Sequence, residues 1–206
     1  MRKIIYGLVA MAAIGFQSCD DTARLIKDVT GTWSGAPEKL VDNSASSATI
    51  IDTYTFTAIP DTKGGNVTIT SLISVTGQID GAQAIVQPFS LSASGTASIQ
   101  GTWTAIDDDE IALSLEPKTL DVNIDPQAVV LSSSLLSGNT SAAVDSMKPA
   151  LVQTIKAQVQ QAVTARYLSM KHLDDVDVKG SILKYEIGKH HYTMSRQGQV
   201  AQLMEN

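Results

Sequence analysis

The chain has a single cysteine among its 206 residues, Cys19. One thiol forms no internal disulfide, and the same count removes thiolate metal clusters and a cysteine nucleophile further along the chain. Positive charge is scarce. Fifteen Lys and Arg stand against 21 Asp and Glu, a formal net charge of −6, and no Lys/Arg cluster occurs. Nucleic-acid affinity rests largely on neutralising phosphates, so a nucleic-acid partner is excluded from the expectations. Flat attachment to anionic lipid is excluded on the same grounds. Aromatic residues make up 5% of the chain, which weakens the case for an aromatic glycan platform. Tyr185 and Trp103 are the side chains that would serve one. No Gly-x-Ser-x-Gly elbow and no Gly-rich phosphate loop is present. Long apolar runs are missing too. The run Ile4–Phe16 is too short to cross a bilayer with margin.

That short run is nevertheless informative. Arg2 and Lys3 precede it, and Ser18 follows it directly before Cys19. Cations, a short apolar segment and a small residue read as a secretory signal rather than a membrane span. The arrangement resembles the bacterial lipoprotein signal, which implies that residues 1–18 are removed and Cys19 is acylated as the new N-terminus. The alternative is an ordinary cleaved signal with an incidental cysteine. Each buried methylene contributes about 0.8 kcal/mol, so several acyl chains together hold well. By this resemblance the protein is lipid-anchored in the bacterial cell envelope, expected at the outer membrane, with its face undecided. Asp20 and Asp21 sit where acidic residues bias sorting. Residues 19–27 are expected to form a tether. Setting aside Arg2 and Lys3 leaves thirteen basic against 21 acidic residues, a net charge of −8.

Residues 28–196 are expected to form one β domain. From Thr30 to Ile124 the sequence alternates with period two and is rich in Thr, Ile, Val and Ser. Strands are expected at Gly31–Ser34, Ile50–Ala58 and Val67–Val75. Turns are expected at Pro60–Asn66 and Gly77–Gly81. A fourth strand is marked by Ile85, Phe89, Leu91 and Ala93, with Pro88 suggesting an edge or a bulge. Ser94-Gly95-Thr96 reads as a tight turn before a fifth strand through Ala97, Ile99 and Trp103. Two further strands carry Ile111, Leu113 and Leu115, then Leu120, Val122 and Ile124. Short links favour antiparallel hairpins.

The period changes after Asp125. Met147, Leu151, Ile155, Val159, Val163 and Tyr167 recur every four residues, widened by Val144, Val152, Ala162 and Met170. This predicts an amphipathic helix over about 142–170, its main body starting near Ser146 because Pro149 suits a first turn. Two last strands are expected at Val176–Ile187 and His190–Arg196. Residues 197–206 are expected to be a flexible tail.

A meander opened by Gly31-Thr32-Trp33 and closed by Tyr192-Thr-Met-Ser-Arg196 resembles the lipocalin-like β-barrels. Gly101-Thr102-Trp103 repeats the opening tripeptide. The resemblance implies a mainly β antiparallel barrel with the long helix before its last two strands. It also implies that Trp33 closes one end of the barrel and Arg196 stacks over it. The rival architecture is a two-sheet β-sandwich with a crossover helix.

Candidate chemistry is thin. His190 and His191 are adjacent and point to opposite faces of a strand, so they do not readily share one metal. His172 lies just past the helix, where a cation complements the dipole. Asp107-Asp108-Asp109-Glu110 clusters oxygens but lacks calcium-loop spacing and reads as a hairpin turn. Asp174-Asp175-Val176-Asp177 is read the same way. No catalytic residue, metal ligand or cofactor is assigned, and the protein is not expected to be an enzyme. The expected function is binding, with a small apolar ligand held in the barrel. The alternative is an interaction or assembly module of the envelope, contacting another envelope protein and having no ligand cavity. In both, Cys19 attaches the chain to the membrane.

Overall fold

The computed structural model describes residues 17–43, 46–79, 89–132 and 141–198. The first element is helix α1 (Gln17–Val29). Strands β1 (Gly31–Gly35), β2 (Glu38–Asp42), β3 (Ser46–Ala58), β4 (Gly64–Ile79) and β5 (Phe89–Ala105) follow. Then come β6 (Ile111–Leu115), β7 (Asp121–Ile124), β8 (Val130–Ser132) and helix α2 (Ser141–Ser169). Strands β9 (His172–Lys179), β10 (Ile182–Ile187) and β11 (His190–Arg196) complete the described chain.

Eight of these strands close an antiparallel barrel in the order β1-β11-β10-β9-β6-β5-β4-β3, with β1 returning to β3. The sandwich alternative is thereby set aside. Closure rests on β1, which pairs Trp33 with Arg196 on one side and with Tyr54 on the other. Alternation drives the curvature inward. Along β3, Ala48, Ile50, Tyr54 and Phe56 are buried, and along β4, Val67, Ile69, Ile73 and Val75. Their outward neighbours are mainly Thr and Ser, which suit a pleated surface facing water.

The barrel is complete along only part of its length. Strand β3 pairs with β1 through Thr53–Phe56 but with β2 nearer its start. Strand β5 pairs with β6 through Gly101–Ala105, with β7 through Gly95–Ser98 and with β8 through Ser90–Ser92. Toward that second end β2 and β7 are not paired with each other, and α2 touches both. The helix therefore takes the place of a missing strand pair in the wall. Its buried stripe is Val152, Ile155, Val159, Val163 and Tyr167, and Met170, just past its end, is buried as well. Met147, expected in that stripe, is exposed, and Val152 takes the inward place one turn on.

Several expectations change. Ser94-Gly95-Thr96 is not a turn, because β5 runs unbroken through it. Gly95 is needed for close approach: a Cβ there would lie 2.4 Å from the Asn123 carbonyl oxygen of β7. Val176–Ile187 is not one strand. The chain turns at Gly180, whose φ of +62° suits glycine, so three strands rather than two follow α2. The helix expected over about 142–170 is present as α2, Ser141–Ser169, with Pro149 within it. Residues 19–27, the expected tether, lie within helix α1. Thr22, Leu25 and Val29 fall three and four apart on the buried side of α1. Strand β2 escaped notice because its charged sequence Glu-Lys-Leu-Val-Asp lacks clean alternation, as suits an edge. Ile85 and Pro88, the signal segment up to Phe16 and most of the expected tail lie outside the described residues.

Candidate functional site

Three places gather polar groups. The first is the closed end of the barrel. Trp33 is fully buried, and its indole Nε1 donates to the Val29 carbonyl at 2.7 Å. The Arg196 guanidinium lies over the Trp33 ring, its Cζ 4.1 Å from the centroid. Its Nη1 and Nη2 donate to the Thr30 and Asp28 carbonyls at 2.9 and 2.6 Å. These carbonyls lie in and just after the last turn of α1, where no intrahelical donor remains and the dipole is negative. Arg196 thus caps the helix and covers the tryptophan in one placement. Gly31 makes room for it. Its φ is +136°, and a Cβ there would lie 2.6 Å from Arg196 Nη1. Both residues proposed for closure from the sequence therefore meet. Cys19 falls in the first turn of α1.

The second is the seam between α2 and the barrel, which sequence reasoning missed. Asp52 and Ser71 are direct cross-strand partners on the inner face of β3 and β4. Both are buried, in register with Ala97 of β5 and Val122 of β7. Ser71 Oγ donates to Asp52 Oδ1 and lies 2.5 Å from the Tyr167 hydroxyl. Arg166 Nε and Nη2 donate to Asp52 Oδ2 at 3.1 and 2.8 Å, and Nη2 also reaches Glu38 Oε2 at 3.0 Å. One arginine therefore links α2 to the inside of β3 and to edge strand β2. Burial pulls the Arg166 pKa down, but Asp52 and Glu38 push it further up, so the guanidinium stays charged. Burial and then the Asp52 charge raise the Tyr167 phenol. Burial also raises Tyr54 and Tyr185, which lie 6.1 Å apart between the centroids. Among the described residues every fully buried side-chain N or O has a partner. With Asp52, Ser71 and Tyr167 buried, this network fastens the helix to the barrel. A signal did exist: Asp52 interrupts the apolar phase of Ile50 and Tyr54, and Ser71 that of Ile69 and Ile73.

The third is an acidic end. His172 Nδ1 lies 2.9 Å from Glu110 Oε1. Asp107, Asp108 and Asp109 form the β5–β6 loop, as the hairpin reading expects. Partial burial and the charges of Asp108, Asp175 and Asp107 raise the Asp109 carboxyl. His191 pairs with Glu186 at 2.7 Å on the far hairpin, away from His172 in sequence and register. Trp103 and Tyr185, the residues weighed for a glycan platform, are buried.

The barrel interior is occupied. Trp33, Tyr54, Phe56, Trp103, Leu173 and Leu183 belong to one continuous buried cluster with the inner residues of α2. Phe56 sits edge-on to Trp103 at 5.6 Å and to Tyr54 at 6.0 Å. An eight-stranded barrel is just wide enough for side chains to fill. No helix among the described residues is long and apolar enough to cross a membrane. No family model matches the chain, and no curated protein matches it significantly.

Proposed function

We propose that the chain is a lipid-anchored envelope protein that acts as an interaction module, presenting its outer surface rather than an internal ligand. The observation that carries this reading is the occupied interior, where large side chains from all sides of the barrel form one cluster. The outer face of the two longest strands supports it. On β4 the outward positions Asn66, Thr68, Thr70, Ser74 and Thr76 bear amides and hydroxyls and no charge. On β5, Ser92, Ser94, Thr96, Ser98, Thr102 and Thr104 do the same. A shallow groove of about 220 Å³ crosses this face beside Leu72, which is 62% exposed. Such a surface, with Asp121 as the acidic residue lining the groove, suits a partner that offers hydrogen-bond donors. Attachment rests on Cys19 and the signal-like segment before it. Because α1 packs on the barrel through Leu25 and Val29, an acylated Cys19 holds the Trp33 end close to the bilayer. At 1.5 Å per residue, the helix from Cys19 to Val29 spans about 15 Å.

Two measurements test the reading. Substituting Cys19→Ser is expected to move the protein out of the membrane fraction; retention there overturns the anchor. Titration with N-phenylnaphthylamine, an apolar fluorescent probe, is expected to show no saturable uptake. Stoichiometric uptake, blocked by enlarging an inner residue such as Ala97→Leu, returns the protein to the ligand-holding reading.

A further inference from the structure

We propose that Glu110, His172 and Asp174 form a binding site for a single divalent transition-metal ion at the acidic end of the barrel. Two of the residues lie on β9 and the third directly precedes its neighbour β6. His172 and Asp174 are two apart on β9 and so share a face. Strand β6 pairs Ile111 with Leu173 and Ala112 with His172, which sets Glu110 across from Asp174 on that same face. One ligand atom from each residue lies within 4.8 Å of the other two. An ion bound at about 2.0–2.2 Å from each donor needs them about 3.4 Å apart, a closure that small rotations of half-exposed side chains achieve.

The surrounding charge favours a cation. Two carboxylates directly opposed across an antiparallel pair repel each other. The ion pairs of the described residues bring no lysine or arginine to Glu110 or Asp174. Among the ion pairs of the described residues, Glu110 has His172 as its positive partner, and only when the imidazole is protonated. Asp107, Asp108 and Asp109 precede Glu110, and Asp175 follows Asp174, so acidic residues outnumber the adjoining lysine, Lys171. The strand itself is interrupted here. Asp175 has φ +49°, and β9 gains an extra residue against β10 between Asp174 and Asp177. Bulges of this kind re-aim side chains at functional positions. The imidazole decides the class of ion. Calcium and magnesium prefer oxygen alone, whereas one nitrogen and two carboxylates suit zinc, cobalt, manganese or iron(II). Three protein donors leave coordination positions for water or for a group on a partner. That opening gives the site a role compatible with, but independent of, an interaction surface.

Cobalt(II) and zinc(II) are the probes. The whole chain carries Cys19→Ser, which removes the only thiol as a competing ligand. Visible cobalt absorption and equilibrium dialysis are expected to give one ion per chain, displaced by zinc. His172→Gln is expected to abolish saturable binding, and Glu110→Gln and Asp174→Asn to weaken it by about tenfold or more. All three positions lie at the barrel surface, and circular dichroism checks that each variant is folded. His190→Gln and His191→Gln are expected to leave the stoichiometry unchanged. Binding that never saturates, or that survives His172→Gln, overturns the proposal. So does binding that disappears with the His190 and His191 variants.

Discussion

Two arginines hold the two halves of this barrel, and they do so by different chemistry. At the closed end, Arg196 meets two main-chain carbonyls and the face of Trp33, with no carboxylate among these contacts. At the seam, Arg166 meets Asp52, which is 5% exposed, and Glu38 at the rim. The first arrangement satisfies groups that the end of a helix leaves over anyway. The second puts a charge inside the molecule and then requires a countercharge. Removing one partner should therefore be tolerated at the closed end and costly at the seam. A strand-closed wall is held by backbone pairing, whereas a wall completed by a helix needs side chains to fasten it.

Alkali gives the largest contrast between the two regions. Tyr54, Tyr167 and Tyr185 all have phenols raised by burial, and the charge of Asp52 adds to each. A raised folded pKa means that the native state holds the proton more tightly than the unfolded chain. The stabilisation is complete below the unfolded value of about 10 and is lost as pH rises beyond it toward the folded values. Phenolate absorbance at 295 nm should stay low past pH 10 and then rise cooperatively with loss of the β signal in circular dichroism. Titration of Tyr167 at the ordinary value, read by comparison with Tyr167→Phe, would show that the seam is open to water.

Replacement of Arg166 by Met should cost about 3–5 kcal/mol in urea unfolding, because Asp52 is left buried without its countercharge. The double variant Asp52→Leu/Arg166→Met should lose much less than the sum of its single variants. Additive losses would mean that the two residues do not act as a pair. Arg196→Met is expected to cost about 2 kcal/mol, since its contacts are part-buried and water can replace some of them. A loss equal to that of Arg166→Met would erase the distinction between the two ends. Least affected should be Glu38→Gln, at less than about 1 kcal/mol by thermal melting, as expected for a half-exposed member of an ion pair.

Much of the barrel was legible from the residues. Alternation in β3 and β4 named the inner side chains correctly, because a half-buried strand shows its faces with period two. The pairing of Trp33 with Arg196 came from the resemblance that the opening and closing motifs carry, and the two side chains do meet. Two of the differences share one cause, which is that glycine serves two purposes. Gly95 reads as a turn but sits in an unbroken strand against Asn123, while Gly180 makes a turn within a stretch that reads as one strand. Helix α1 was missed because its buried positions, Thr22, Leu25 and Val29, are few and one is polar. The seam was legible only in part. Asp52 and Ser71 stand out as polar residues in an apolar phase, but nothing nearby in the chain announces that their partners lie on α2.

The chain by itself determined the class of fold, the inward faces of the strands, the apolar stripe of α2 and the exclusion of thiol chemistry beyond Cys19. These follow from local periodicity and composition, which act over a few residues. Tertiary structure alone decided that α2 completes the wall, that Arg166 reaches Asp52 across 114 positions, and that Glu110 faces Asp174. Those outcomes depend on strand order and register, set when the barrel closes between β1 and β3. Closure is a property of the whole ring, and no short stretch of sequence contains it.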